Sequence, residues 1–111
     1  MAEANLMLSV VIKALNEEAN IERTLRSVLS ATQGLHAEVI LADSLSTDRT
    51  CDIAAQFPIR IVQLARAADR SCGVGAQLGY QHALGRYILV MDGDMELERD
   101  FVIAAIQRLD E

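Results

Sequence analysis

The sequence predicts an α/β protein, with one open, mostly parallel sheet and helices on both of its faces. Short, nearly unbroken apolar runs rich in β-branched residues recur along the chain, as in strands buried on both sides. Between them lie segments whose apolar residues return every three or four positions, the period of a helix with one buried stripe. The two patterns alternate strictly as β-α-β-α-β-α-β-α, which implies parallel strands joined by right-handed crossovers.

The first strand is "LMLSVVIKA", residues 6–14. Asn16 then stands where a helix cap belongs, with Glu17 and Glu18 suited to the positive helix end. Ile21, Leu25, Val28 and Leu29 give that helix its apolar face, and Gly34 marks its end. A second strand covers residues 38–42, followed by a helix over 47–56 capped by Ser46 or Thr47. Pro58 breaks it before a third strand at 59–64. Beyond a loop with Arg66 and Arg70, "GVGAQLG" starts a third helix near residues 73–75 that runs to 84, with Tyr80, Ala83 and Leu84 on one face. Gly85 ends it. The fourth strand is 87–91, and residues 99–109 form a returning helix with Val102, Ala105, Ile106 and Leu109 at helical spacing.

The 111 residues suit one domain, 1–111, with no linker or internal repeat. With 51% hydrophobic and 23% charged residues and a single proline, the composition is that of an ordered globule. Sixteen acidic against ten basic residues give a net charge of -6, which excludes general attraction to nucleic acid or an anionic membrane. No apolar run has the length of a membrane span, and the first five residues lack the basic start of a signal peptide, so a cytoplasmic protein is expected. Cys51 and Cys72 form no CxxC and read as two free thiols.

Asp43 ends the second strand, Asp92 and Asp94 end the fourth, and Lys13 to Glu17 lead out of the first. In open parallel sheets ligands bind beyond the carboxyl ends of the strands, so these residues should face one mouth. Three carboxylates converging there call for a positive charge, and a Mg²⁺ or Mn²⁺ ion answers that need while holding substrate phosphates. Gly93 allows the chain to turn sharply between Asp92 and Asp94. The bland alternative for an isolated D-x-D is a solvated turn before the next helix.

The stretches "SVVIKALNEEANIERTLRSVL", "EVILADSLSTDRTCDIA" and "GVGAQLGYQHALGRYILVMDGDMEL" together resemble, in order and spacing, the nucleotide-binding half of family 2 glycosyltransferases. The resemblance implies a GT-A, Rossmann-like sheet whose strand order begins 3-2-1-4. It places Asp43 and Ser44 against the base of a UDP- or GDP-sugar, Ala14, Leu15 and Glu17 near base and ribose, and Asp92 near ribose or metal. Asp94 becomes the principal ligand of the cation. The implied reaction is sugar transfer to an acceptor hydroxyl. Lys13 replaces a proline or threonine frequent in the family, Leu15 a tyrosine, and Ala76 and Gln77 stand where an Arg and Asn are common.

The family's domain continues into strands that build the acceptor pocket and supply a general base, so these residues are expected to be a donor-binding part whose catalytic base lies outside them. A catalytically silent nucleotide-binding module is the alternative. The fourth strand is expected to be an edge, which invites self-association as a homodimer. A nucleotidyltransferase would want a basic glycine-rich loop after the first strand, and a receiver domain an acidic pair there and a lysine after the last. A dinucleotide fingerprint is excluded because "GVGAQLG" follows the third strand rather than the first. Lys13 reads equally as a phosphate contact or a snorkelling side chain. Arg66 and Arg70 read as nucleotide contacts or as partners of Asp69, while His36, His82, Asp48 and the Glu22–Arg26 pair read as structural.

Overall fold

The computed structural model of the protein describes residues 6–71 and 73–111. The first five residues, read above for a signal peptide, and Cys72, read as a free thiol, lie outside the described residues. Four parallel strands form the sheet in the order β3-β2-β1-β4. They are β1 (Leu8–Ala14), β2 (Ala37–Asp43), β3 (Arg60–Gln63) and β4 (Tyr87–Asp92). Among the described residues β4 pairs on one side only, with β1.

β1 is apolar because it lies at the centre, paired along its length with β2 from Leu8↔Ala37 to Ala14↔Asp43 and with β4 from Leu8↔Tyr87 to Lys13↔Asp92. Alternate residues of a strand face opposite sides, so Leu8, Val10, Ile12 and Ala14 share one face. That face holds the main core, with Ile21, Leu25 and Val28 of α1 (Ile21–Ala31) and Val102 of α4 (Arg99–Leu109). Ala54, from the short α2 (Thr50–Ala54), joins the same cluster. Ile12, Ile21, Leu25 and Val28 are completely buried, and each such side chain contributes about 1.5–3 kcal/mol relative to exposure.

The other face carries α3 (Val74–His82), and here the contact is made by glycines. A Cβ on Gly75 would come within 3.3 Å of Lys13 Cγ, and one on Gly79 within 2.1 Å of Val11 Cγ1. Just beyond the helix, a Cβ on Gly85 would lie 2.5 Å from the Ser9 nitrogen. Glycines therefore lie over Lys13, Val11 and Ser9, the three residues that β1 presents to this side, and bring the backbone against the sheet. The expected apolar face of Tyr80, Ala83 and Leu84 is not the packed one: Tyr80 is 63% exposed and Leu84 52%, and the helix ends before Ala83. Leu109 is likewise exposed, at the end of α4, so Val102 and Ile106 carry that helix's contact.

At the amino-terminal edge of the sheet a polar clasp closes the turn into β4. Ser9 Oγ and the Leu84 amide donate to Glu38 Oε2 at 2.6 and 2.7 Å, and the Gly85 amide donates to Ser9 Oγ at 2.7 Å. Arg60 stands 3.5 Å from the other Glu38 oxygen. Among the described residues no buried side-chain nitrogen or oxygen lacks a partner, and no helix is long and apolar enough to cross a membrane.

The two predicted helix starts shift. Asn16 does not cap α1; it adopts φ 55°, and the helix begins at Ile21. Neither Ser46 nor Thr47 caps α2, which begins at Thr50 rather than 47. Both segments are engaged with each other, as described below, and cannot also take helical hydrogen bonds.

Replacing Gly79 with alanine sets helix propensity, about 1 kcal/mol in favour of alanine, against overpacking that costs about 1–3 kcal/mol or more. The approach to Val11 decides for destabilisation, so the urea midpoint should fall. Val11→Ala combined with Gly79→Ala should be more stable than the sum of the single effects. A Gly79→Ala midpoint above wild type would contradict the close packing.

Candidate functional site

A cleft of about 640 Å³ opens at the carboxyl ends of β1, β2 and β4, lined by Lys13, Ala14, Leu15, Glu17, Ser44, Arg70, Ser71, Gly75, Asp92 and Asp94. Its floor depends on two turns that interlock. Asn16 Oδ1 accepts from the amides of Thr47 and Asp48 at 2.8 and 3.3 Å, and its own amide donates to Ser46 Oγ at 2.8 Å. The next two amides of the same turn, Glu17 and Glu18, donate to Thr50 Oγ1 at 2.8 Å and Asp48 Oδ2 at 3.1 Å. Every backbone donor from 16 to 18 therefore ends on a side chain of the turn after β2 or of the first residue of α2. The left-handed φ of Asn16 suits asparagine better than most residues.

Asp48 also accepts from the amide and hydroxyl of Thr50. Burial works to raise its pKa and is the largest single influence, but the bonds from Thr50 and Glu18 together outweigh it and hold the carboxyl below its ordinary value.

Asp43 lies behind this wall. It is completely buried, and its two oxygens accept from the Ser46 amide at 2.9 Å, the Ser46 hydroxyl at 2.5 Å and Gln63 Nε2 at 3.2 Å. Such bonds are what a buried carboxylate requires. They shape the loop 44–46, in which Leu45 takes φ 67°. Burial, followed by the charge and hydrogen bonding of Asp43, pushes the Cys51 thiol up to about 11, so it stays neutral. Arg70 holds the outer side of the loop, its Nε donating to the Ser44 carbonyl at 2.7 Å and its Nη2 to the Leu45 carbonyl at 2.6 Å. Arg66, by contrast, pairs with Asp69 at 3.0 Å.

Asp92 and Asp94 stand exposed on either side of a buried Gly93. The Gly93 amide donates to the Lys13 carbonyl at 2.9 Å, and its carbonyl accepts from the buried Thr24 hydroxyl of α1 at 3.0 Å. A Cβ here would lie 3.0 Å from Glu17 Cγ and 3.2 Å from the Lys13 oxygen. The glycine thus seats the acidic turn against β1 and Glu17. Lys13 Nζ lies 3.2 Å from Asp92 Oδ1.

Of the residues singled out from the sequence, Ala14, Leu15, Glu17, Ser44, Asp92 and Asp94 come together on the cleft. Asp43 does not reach its wall. The expected convergence of three carboxylates on a cation is corrected accordingly: among the described residues no group of three His, Cys, Asp or Glu is gathered to hold a metal. Two exposed carboxylates on an open cleft still fit a hard cation that takes its remaining ligands from substrate oxygens and water. Sequence reading missed Thr24 and Thr50, whose only signal was a hydroxyl at a buried helical position, and Gln63, an exposed amide at the end of β3 whose partner is set by the fold.

The Glycosyl transferase family 2 model matches residues 9–111. Glucosyl-3-phosphoglycerate synthase of Mycobacterium tuberculosis is 37% identical over 94 residues, 85% of this chain and 28% of that protein. Its crystal structure with Mn²⁺, UDP and glucosyl-3-phosphoglycerate superposes with a TM-score of 0.73 at 28% identity, covering 97% of this chain and 41% of that one. S. aureus TarS in complex with UDP-GlcNAc shares the fold, with a TM-score of 0.82 at 24% identity over 95% of this chain and 31% of that one. The chain spans about 26–38% of the length of the curated relatives it matches.

Thr50→Val removes a buried hydroxyl and leaves the Glu17 amide without an acceptor, which should cost about 1–3 kcal/mol in urea unfolding. Because Asp48 has a depressed native pKa, its contribution is complete above the ordinary value of 3.8 and is lost as pH falls through the lower native value. Without the Thr50 hydroxyl that pKa moves back up, so thermal melts across this acid range should show a shallower loss for the variant. An unchanged acid slope would mean that Asp48 is not held by Thr50.

Proposed function

Since the chain belongs to glycosyl transferase family 2, we propose that it is the donor-binding part of a metal-dependent glycosyltransferase that moves a sugar from a nucleotide-diphosphate sugar to an acceptor hydroxyl. It would form the N-terminal part of a longer glycosyltransferase domain. The observation that carries this reading is the meeting of Leu15, Glu17, Ser44, Asp92 and Asp94 on one cleft at the strand ends.

In this reading Leu15, 41% exposed, covers the base by apolar contact, beside Ala14 and the backbone of Ser44. Asp43 acts on the base indirectly, by shaping the loop that carries Ser44. Glu17 is directed to the ribose, and Asp92 and Asp94 hold a Mg²⁺ or Mn²⁺ ion. Lewis-acid stabilisation of the departing diphosphate is the chemistry such an ion supplies. Glu17 is kept in place by packing on Gly93 and by accepting from Asn20 Nδ2 at 3.2 Å. The general base that activates the acceptor is assigned outside these residues. A cytoplasmic setting, where a thiol such as Cys51 stays reduced, agrees with the composition.

The edge of β4 that has no partner strand among the described residues adjoins an apolar groove with Leu89, Val90, Met95 and Phe101. Val90, Met95 and Phe101 are 44%, 49% and 60% exposed. This edge is assigned to pairing with a second copy of the chain.

Calorimetric titration of UDP and GDP should give binding with Mn²⁺ that weakens about tenfold or more without the metal or in Asp94→Ala, the size of a lost charged contact. Binding indifferent to both would sink the reading. Light scattering should show association that rises with concentration and declines in Val90→Lys; a monomer throughout would remove the dimer.

A further inference from the structure

The acidic turn is met by a cation from β1, Lys13. Lys13 is the last residue but one of β1, the central strand, and points to the α3 side. Its stem lies under Gly75, where a Cβ would come within 3.3 Å of Cγ and 3.6 Å of Cδ. The side chain therefore does not snorkel outward along the sheet; it is led into the cleft, 32% exposed, with its ammonium 3.2 Å from Asp92 Oδ1. An ion pair this open adds little to stability.

The charge lining the cleft explains why the lysine matters. Glu17, Asp92 and Asp94 share the cleft with Lys13 and Arg70. Arg70 has its Nε and Nη2 engaged by the Ser44 and Leu45 carbonyls, which leaves Lys13 as the lining cation able to change partners. Two states follow for it. With the cleft empty the ammonium neutralises Asp92, and a divalent cation approaching Asp92 and Asp94 must displace a positive charge already seated there. With a nucleoside diphosphate present, the ammonium has a phosphate oxygen to turn to, and Asp92 is released.

Resting on the reading above, we infer that Lys13 is an exchangeable counter-ion that couples the two ligands: it opposes cation binding to the free protein and joins the diphosphate once both are bound. Cation and nucleotide then favour each other's binding reciprocally, because linkage makes the coupling equal from either side. The coupling arises from a residue beside the metal ligands rather than from the ligands alone.

The test is calorimetry of Mn²⁺ alone, UDP alone and UDP with saturating Mn²⁺, on wild type, Lys13→Met, Lys13→Gln and Lys13→Arg, with thermal melts to confirm folding. GDP replaces UDP if that is the nucleotide the wild type takes. The methionine and glutamine variants remove the same charge, and one folded variant suffices. Either should bind Mn²⁺ alone about threefold to tenfold more tightly and the nucleotide with Mn²⁺ about tenfold more weakly, within the usual range of coupling. Lys13→Arg should keep the wild-type order of affinities. Wild-type values for both ligands in a folded neutral variant would overturn the inference while leaving the functional reading standing. Wild type that binds neither nucleotide in the presence of Mn²⁺ would overturn the functional reading and the coupling with it.

Discussion

The hydrogen-bond lock between the turn after β1 and the turn after β2 is the constraint on which the cleft depends. Asn16, Glu17 and Glu18 deliver consecutive backbone amides to Ser46, Thr50 and Asp48. Asn16 in return accepts amides from Thr47 and Asp48. Beneath the lock, buried Asp43 ties Ser46 and Gln63 to the end of β2. Asn16, Asp43, Ser46, Asp48 and Thr50 are thus structural. They hold Leu15, Glu17 and Ser44 where the cleft needs them, which is how rigid scaffolds present functional loops.

Electrostatics then separates the site from the rest of an acidic molecule. The carboxylates of Glu17, Asp92 and Asp94 gather on a surface that carries Lys13 and Arg70, and the arginine is committed to backbone carbonyls. Gly93 makes the closeness feasible, since its amide and carbonyl are both satisfied by the fold and no side chain intervenes at Glu17. A diphosphate can enter such a place only with cationic help, and the two flanking aspartates and the lysine are the groups suited to arrange it.

The glycines over β1 complete the same design from the other side. Gly75, Gly79 and Gly85 let the backbone lie against Lys13, Val11 and Ser9, so α3 approaches the central strand more closely than side chains would permit. The contact with Gly75 directs the lysine stem toward Asp92. A packing feature in the core side of the helix therefore has an electrostatic consequence at the strand ends.

Much of the architecture was legible in the chain alone. Near-continuous apolar runs at β1, β2 and β4 and helical periodicity at α1 and α4 specify strands and helices because those patterns depend only on which face is buried. The strand order 3-2-1-4 is the one the resemblance to a family implied, and the same resemblance singled out Leu15, Glu17, Ser44, Asp92 and Asp94, which line one cleft. Only the tertiary structure decided that Asn16 locks a turn instead of capping α1, that Asp43 is buried behind the cleft, that glycines rather than Tyr80 and Leu84 form the inner face of α3, and that Lys13 meets Asp92. Each of those depends on partners distant in sequence. Hydrophobic period is a local property of a segment, whereas the fate of a polar side chain or a glycine is set by which backbone another segment brings to it.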